Sequence, residues 1–394
     1  MLCGHARSSG GASARRPQEK TTVLSAIVQS LVSRRPRRGE DATASEQRFL
    51  LIKSWGYGFW SDMNHVFGCL LLAEITGRIP VTHWGRNSLF ADGTDADAFG
   101  RYFEPVSRFG LADLQAISGA THFPAKWSRD TLRDENRAKW DGAGSRLSGS
   151  HYFRRRETIA VSDFYIHLPD LVSVLPKVHP WHGRSVGQIY RAVADKYLKL
   201  RPHIQAEIDA FHRDNMADAG PMIAVHVRGT DKFREPDYKI TLQSYFDVVD
   251  SVAADWKVFL LTDQAQCVES FRGRYGSRVI FTAAHRSSNR MAVHHDRATD
   301  HVRLGVEVIK DTYLALRCQK FVGHGLSNPA CIVSVLKEWP PGDCQLFGPS
   351  LLERNFSRRM RPRKKQGRLS KLIEKVLGKL GGPARIAGSS GTRG

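Results

Sequence analysis

The chain has 394 residues, 41% hydrophobic and 25% charged, which is the composition of a globular protein long enough for two domains. Its net charge of +20 would suit a nucleic-acid-binding protein, but residues 1–40 carry +6 and residues 354–394 carry +12, which leaves +2 for residues 41–353. No apolar run is long enough to span a bilayer and the start lacks a secretory pattern, so we expect a cytoplasmic protein.

Cysteine and histidine spacing argues against disulfides and metals. The six cysteines contain no CxxC pair, and most lie in apolar or helical-looking runs, so we interpret them as reduced thiols. The sixteen histidines also lack metal-binding spacing, since His294 and His295 are adjacent and point in different directions on a helix or strand. We expect no metal site and no cofactor.

The first elements of the fold follow a leader. Residues 1–46, rich in Gly, Ser, Ala and Arg, predict a disordered basic segment. A strand over 48–55 then leads into a turn at Gly56 and Gly58, a helix that starts at Ser61 and Asp62 and runs to Ile75, and a strand over 78–84. A glycine turn in this place lets a ligand approach the backbone and the helix N-terminus, and a purely structural turn is the alternative.

The second half of the chain alternates between strand and helix periodicity. Residues 87–180 are irregular apart from a strand over 158–166, and two helical stretches around 189–200 and 204–211 follow. The remaining predicted elements are strands over 222–228, 257–262, 278–282 and 320–322, and helices over 242–253, 265–275, 302–318 and 329–339. Such alternation predicts a doubly wound parallel sheet.

Charged and polar residues follow the predicted strands. His226 lies in the strand over 222–228, and Arg228, Asp231 and Lys232 come at its end, where open parallel sheets bind ligands. An arginine fork suits a pyrophosphate, so we expect an anionic ligand; a surface ion pair between Arg228 and Asp231 is the alternative. Asp263 follows the next strand, where an ordinary turn residue is the alternative.

Ser327 precedes the helix over 329–339. It is either a helix cap or, with the free N–H groups of that helix, part of a phosphate site.

Four motifs in this order resemble the GT-B fucosyltransferases, and most closely the α1,6-fucosyltransferases of the rhizobial nodulation and core type. They are HVRGTDK at 226–232, YFDVVD at 245–250, VFLLTDQ at 258–264 and GVEVIKDTYLALRCQKFVGHGLSN at 305–328. The resemblance implies an α/β, GT-B-like fold with two Rossmann-like domains facing a cleft, the C-terminal one a doubly wound parallel sheet. We expect the leader over 1–46, an acceptor-side domain over 47–185, a GDP-sugar-binding domain over 186–350 and a basic tail over 351–394.

The resemblance also implies roles for individual residues. Arg228 grips the nucleotide pyrophosphate with His226 beside it, Asp311 accepts hydrogen bonds from guanine, and Ser327 touches the β-phosphate. Asp263 matches an acidic residue at a strand end, and the turn from Gly56 to Gly58 brings the acceptor close to the donor.

Two positions depart from the family pattern. Gly229 stands where many relatives have a second arginine, whose role is then either absent or supplied elsewhere, by Arg234 or Arg290. A family glutamate that helps activate the acceptor is displaced to Glu235, with Asp237 close by.

The implied reaction is inverting transfer of L-fucose from GDP-β-L-fucose to a hydroxyl of an oligosaccharide or lipid-linked glycan. Arg228 and Lys232 would stabilise the leaving pyrophosphate, and Asp231 or Glu235 would take the acceptor proton, without a metal. Another GT-B nucleotide-sugar transferase is one alternative. A non-catalytic protein whose basic tails bind membrane or nucleic acid is the other.

The C-terminal tail has the pattern of an interfacial helix. Its apolar residues recur at helical spacing between Leu369 and Leu380 with lysines beside them, and residues 358–380 are strongly basic. We therefore expect an anionic membrane surface as a partner and a peripheral position at the inner face of a bacterial membrane. A tail helix packed on the body is the alternative. Since the body carries only +2, we expect no specific nucleic-acid binding.

Overall fold

The computed structural model describes residues 47–135, 149–162, 165–229, 240–288, 293 and 300–352. All of them belong to one compact unit. The predicted leader and, apart from residues 351 and 352, the predicted basic tail lie outside the described residues, and the predicted domain limits remain predictions.

The N-terminal half is built on a four-stranded parallel sheet with the order β2-β1-β4-β3. The strands are β1 (Phe49–Lys53), β2 (Ile79–His83), β3 (His122–Phe123) and β4 (Ile159–Val161). All five residues of β1 are buried because β1 lies between two strands and both faces of the sheet are covered. Helix α1 (Phe59–Thr76) connects β1 to β2.

The C-terminal half contains a five-stranded parallel sheet with the order β7-β6-β5-β8-β9. Its strands are β5 (Met222–Val227), β6 (Lys257–Thr262), β7 (Val279–Ile280), β8 (Lys320–His324) and β9 (Cys344–Phe347). The chain winds outward from β5 to β7 and then returns to β8 on the other side of β5. The topological switch point, where such sheets bind ligands, therefore lies between β5 and β8.

The remaining helices pack around the two sheets. They are α2 (Leu111–Ala116), α3 (Pro169–Val172), α4 (Val186–Tyr197), α5 (Pro202–Asn215), α6 (Leu242–Asp250), α7 (Ala265–Tyr275), α8 (His301–Ala315) and α9 (Asn328–Leu336). Helix α9 packs against both α1 and α4, so one core cluster contains buried side chains from both halves. The prediction of an α/β fold with two Rossmann-like parallel sheets is confirmed.

The structure corrects several predicted boundaries. Helix α1 starts at Phe59, earlier than predicted, because Gly58 is its N-cap and Asp62 lies in its first turn. The predicted strand over 158–166 is shorter, since β4 ends at Val161. The short elements α2, α3, β3 and β9 were not predicted, because two to six residues carry too little periodicity to be recognised.

Two predictions about the body can be compared with the described residues. Cys69, Cys267, Cys318 and Cys331 are buried thiols and Cys344 is half-buried, all without a disulfide. In the part of the chain that the structure describes, no helix combines the length and the apolar character needed to cross a membrane.

The close approach of α1 to the segment after β4 generates a stability prediction. A Cβ atom at Gly68 would lie 2.1 Å from the carbonyl oxygen of Ile166, whereas one at Gly273 in α7 would meet nothing within 4 Å. We expect Gly68→Ala to lower the free energy of unfolding by about 1–3 kcal/mol through overpacking. The control Gly273→Ala should raise it by about 0.5–1 kcal/mol. Urea denaturation midpoints measure both, and equal shifts would contradict the argument.

Candidate functional site

A cleft of about 440 Å³ is lined by residues from both halves of the fold. Seven residues that the sequence predicted for the donor site line it together: Gly56, Gly58, His226, Arg228, Asp263, Asp311 and Ser327. Because carboxyl ends of parallel strands share one edge of a sheet, residues far apart in the chain meet here. The predicted residues Asp231, Lys232 and Glu235 lie outside the described residues, as do Arg234, Asp237 and Arg290.

The guanidinium group of Arg228 is held by the carboxylate of Asp263. The Nε atom of Arg228 lies 3.1 Å from Oδ2 of Asp263, and the backbone N–H of Gly229 donates to Oδ1 at 2.8 Å. One carboxylate thus fixes both the side chain and the backbone that follow β5. Asp263 is therefore more than a turn residue, because it orients an arginine that lines the cleft.

Gly229 faces a position that the side chain of Gln264 already fills. A Cβ atom at residue 229 would lie 2.2 Å from Oε1 and 2.8 Å from Cβ of Gln264. The second contact involves the Cβ atom of Gln264, which is bonded to the backbone and cannot move unless the backbone moves. A second arginine at position 229 is therefore incompatible with this packing.

His226 is a neutral imidazole at the floor of the cleft. Its side chain is 6% exposed, and burial lowers its pKa to about 4, so it carries no charge at pH 7. Its Nδ1 atom is buried and has no hydrogen-bond partner among the described residues. A neutral ring can donate from one nitrogen and accept at the other, which suits a polar ligand group.

Ser327 occupies the N-cap position of α9 without acting as a cap. Its side chain makes no capping hydrogen bond, and its buried Oγ has no partner within the described part of the chain. The first N–H groups of a helix have no intrahelical partner and attract anions. The structure therefore shows no helix cap by the Ser327 side chain, and the hydroxyl group and the start of α9 both lie on the cleft.

The turn after β1 is fixed by the first turn of α1. Gly56 has a φ of 69°, a conformation that favours glycine. The backbone N–H groups of Gly56 and Tyr57 donate to the two carboxylate oxygens of Asp62 at 3.1 and 3.2 Å. This arrangement directs the start of α1, with Gly58 as its N-cap, into the cleft. Two helix N-termini, those of α1 and α9, thus line the same cleft.

Asp311 is buried on α8 and is therefore not an ordinary surface carboxylate. Its side chain is 9% exposed, and burial raises its pKa to about 6. The hydroxyl of Thr282 donates to Oδ1 of Asp311 at 2.5 Å, which leaves Oδ2 to accept from a ligand. A buried carboxylate in a largely apolar cleft is suited to neutral N–H donors such as those of a nucleobase.

Three residues of this region were missed by the sequence analysis. Thr282 supports Asp311, Glu307 lines the cleft one helical turn before Asp311, and Arg286 interacts electrostatically with both carboxylates. Glu307 could have been found from its spacing, because residues i and i+4 share one face of a helix. Thr282 and Arg286 follow a two-residue strand, and no periodicity marks them.

Within the described ranges, no group of three or more His, Cys, Asp or Glu side chains is placed to hold a metal ion.

Sequence comparison identifies a relative of the chain. No family model matches it. Nodulation protein Z of Bradyrhizobium diazoefficiens is 22% identical over 335 residues, which cover 78% of this chain and 84% of that protein. The chain is a distant homologue of Nodulation protein Z. The resemblance to the rhizobial nodulation enzymes that the sequence motifs indicated is thus confirmed.

Solved structures were also compared with the fold. A NodZ α-1,6-fucosyltransferase co-crystallized with GDP is 20% identical, with a TM-score of 0.48, and covers 74% of this chain and 93% of its own. POFUT1 in complex with GDP is 12% identical, with a TM-score of 0.44, and covers 77% of this chain and 98% of its own.

Proposed function

We propose that this protein is a glycosyltransferase that moves L-fucose from GDP-β-L-fucose to a hydroxyl group of a glycan acceptor, with inversion at the anomeric carbon of fucose. One observation carries the proposal. A single cleft combines a fixed arginine, an unpaired serine hydroxyl at a helix N-terminus and a buried carboxylate, which are Arg228, Ser327 and Asp311. The first two complement a diphosphate, and the third complements the N–H edge of guanine.

The diphosphate of the donor lies between Arg228 and Ser327 in this proposal. A guanidinium group offers parallel N–H donors that match phosphate oxygens, and helix N-termini favour negative charge. Asp263 supports this role because it holds the Nε side of Arg228 at 3.1 Å. These groups stabilise the leaving pyrophosphate more strongly as the glycosidic bond breaks, since its negative charge grows in the transition state.

The guanine ring lies against Asp311 in this proposal. Apolar residues of the cleft, among them Leu89, Phe90, Leu261 and Val308, provide surfaces for a flat ring. The Oδ2 atom of Asp311 accepts from guanine, while Thr282 holds Oδ1. Adenine and uracil do not offer the same pair of adjacent N–H donors.

The chemical step needs a proton acceptor near the acceptor hydroxyl. In the proposed step the hydroxyl oxygen bonds to C1 of fucose, the bond from C1 to the GDP oxygen breaks, and the hydroxyl proton passes to a carboxylate. Asp231 and Glu235 remain the candidates, with Asp237 beside them and Lys232 as a further cation for the pyrophosphate. Their assignment rests on the sequence motif, since they lie outside the described residues.

The donor site can be tested by calorimetric titration with GDP, GDP-fucose, UDP and ADP. We expect selective binding of the two guanine nucleotides, and Arg228→Ala should weaken it about 10–100-fold, because charge-assisted hydrogen bonds contribute about 1.5–3 kcal/mol. Arg274→Ala is the control, because Arg274 forms an exposed ion pair with Asp250, with side chains 44% and 42% exposed. Equal or absent binding of all four nucleotides would reject the proposed donor site. Binding selective for another nucleotide would indicate a different sugar donor.

The raised pKa of Asp311 predicts a pH dependence of GDP-fucose binding. The ionised carboxylate accepts hydrogen bonds from the nucleobase more strongly than the protonated carboxyl group does, and burial raises the pKa of Asp311 to about 6. Affinity should therefore fall about tenfold from pH 7 to pH 5, as the carboxyl gains a proton that binding must displace. GDP-fucose is the suitable probe, because its esterified pyrophosphate does not titrate in this range. The Asp311→Asn variant should bind GDP-fucose more weakly, and its affinity should no longer fall between pH 7 and pH 5. An unchanged pH profile in that variant would contradict the assignment.

The basic tail provides the basis for a proposal about location. We propose that residues 358–380 bind an anionic membrane surface, which holds the enzyme near a lipid-linked or envelope glycan at the inner face of a bacterial membrane. The pattern of leucines and lysines supports this, with about 1 kcal/mol for each basic residue near the surface.

Deletion of residues 354–394 tests the proposed membrane contact. The full chain should sediment with anionic vesicles and remain in solution with neutral ones, because charge attraction supplies most of the binding. The shortened chain should remain in solution with both and still turn over a soluble acceptor. Unchanged sedimentation of the shortened chain would reject the proposal.

A further inference from the structure

Helix α8 presents two carboxylates to the cleft, one helical turn apart. Glu307 and Asp311 are spaced i, i+4 and both line the cleft, as do Leu304 and Val308 on the same helical face. Side chains at this spacing have Cβ atoms about 5–6 Å apart, which is close to the width of a nucleobase edge. The helix therefore offers two acceptor groups along one side of an apolar slot.

The segment that follows β7 holds both carboxylates in place. The hydroxyl of Thr282 donates to Asp311, and the backbone N–H of His285 donates to Oε2 of Glu307 at 2.9 Å. The Oε1 atom of Glu307 lies 3.5 Å from Nε of Arg303, and the Glu307 side chain is 14% exposed. Glu307 is thus a half-buried carboxylate in a fixed position.

Arg286 compensates the two negative charges from the same segment. Its Nη1 atom donates to the carbonyl oxygen of Ala284 at 2.8 Å, and its charge acts on both Asp311 and Glu307. An arginine in this place reduces the repulsion between two carboxylates that face one cleft. Both can then remain acceptors when a ligand with several N–H donors enters.

Unpaired buried atoms elsewhere in the cleft indicate that a polar ligand completes it. His226 is 6% exposed and Ser327 is 2% exposed, so both side chains are more than nine-tenths buried. The Nδ1 atom of His226 and the Oγ atom of Ser327 lack partners within the described residues. Buried polar groups are usually hydrogen-bonded, so these atoms point to a ligand independently of the carboxylates.

We propose that Glu307 is a specificity-determining residue that accepts a hydrogen bond from the exocyclic 2-amino group of guanine. The inference rests on the proposed function, in which the cleft holds a GDP-sugar. Guanine carries three hydrogens on its N1 and N2 atoms, and one carboxylate can accept only N1–H and the nearer N2 hydrogen. The remaining N2 hydrogen requires a second acceptor, and Glu307 supplies it beside Asp311.

Inosine diphosphate isolates this contact, because its hypoxanthine base keeps N1–H and lacks the 2-amino group. Calorimetry with GDP and inosine diphosphate should show that the native chain prefers GDP. Glu307→Gln should weaken GDP binding about 5–10-fold and change inosine diphosphate binding less than about twofold, because a neutral amide is a weaker acceptor than a carboxylate. Asp311→Asn should weaken both ligands, since both carry N1–H.

Glu207→Gln is the matched control. Glu207 also pairs with Arg303, at 2.9 Å, but lies on α5 and does not line the cleft. This variant releases Arg303 in the same way and should leave the preference for GDP over inosine diphosphate unchanged. Thermal unfolding of each variant shows whether it folds. If Glu307→Gln does not fold, Glu307→Asp replaces it. The shorter side chain keeps the charge but moves it away from the ligand, so this variant should also reduce the preference for GDP over inosine diphosphate.

Three outcomes would overturn the inference, and the third also rejects the function on which it rests. Equal weakening of both ligands by the Glu307 variant, or no weakening of either, would mean that Glu307 only supports His285 and Arg303. Absence of binding of either nucleotide to the native chain would instead reject the proposed donor site itself.

Discussion

The arrangement of residues at the end of β5 depends on the interactions that the carboxylate of Asp263 makes with Arg228 and Gly229. In the parallel register of β5 and β6, Val227 lies opposite Thr262, so the next residues of both strands emerge side by side. Asp263 then binds the Nε atom of Arg228 and the backbone N–H of Gly229. One carboxylate thereby fixes the arginine that is proposed to grip the pyrophosphate.

The two halves of the fold share the floor of the cleft. The indole N–H of Trp60 donates to Oγ1 of Thr312 at 2.8 Å, and the side-chain amide of Asn64 donates to that of Asn328 at 2.8 Å. Trp60 and Asn64 both lie on α1. Their partners Thr312 and Asn328 directly follow Asp311 and Ser327, the residues that are proposed to bind the GDP-sugar. Packing between the halves therefore sets the distance between Asp311, Ser327 and the glycine turn after β1.

Burial gives the groups of the cleft different charges at pH 7. It lowers the pKa of His226 to about 4 and raises that of Asp311 to about 6, so the histidine is neutral and the carboxyl is largely ionised. The arginine remains charged because guanidinium groups hold their proton far above neutral pH. The cleft thus combines a cation, a neutral ring that can donate and accept, and a carboxylate, which are the three groups that the proposed GDP-sugar requires.

The sequence determined much of the fold and predicted seven of the residues that line the cleft. Alternating periodicity predicted β6 and α7 with the bounds that the structure shows, because long buried strands and amphipathic helices carry a strong local pattern. It also placed Arg228 and Ser327 at strand ends, where ligands bind. It did not predict β9 or the true start of α1, because a short element and a glycine cap leave little periodicity.

Only the tertiary structure decided how these residues act together. It joined Asp263 to Arg228, filled the space beside Gly229 with Gln264, buried Asp311 and brought Glu307, Thr282 and Arg286 around it. Apart from Glu307, which lies one helical turn before Asp311, each of these contacts joins residues distant in the chain. Local pattern reports which face of an element is buried, whereas the partner of a polar side chain depends on the register of strands and the packing of the two halves.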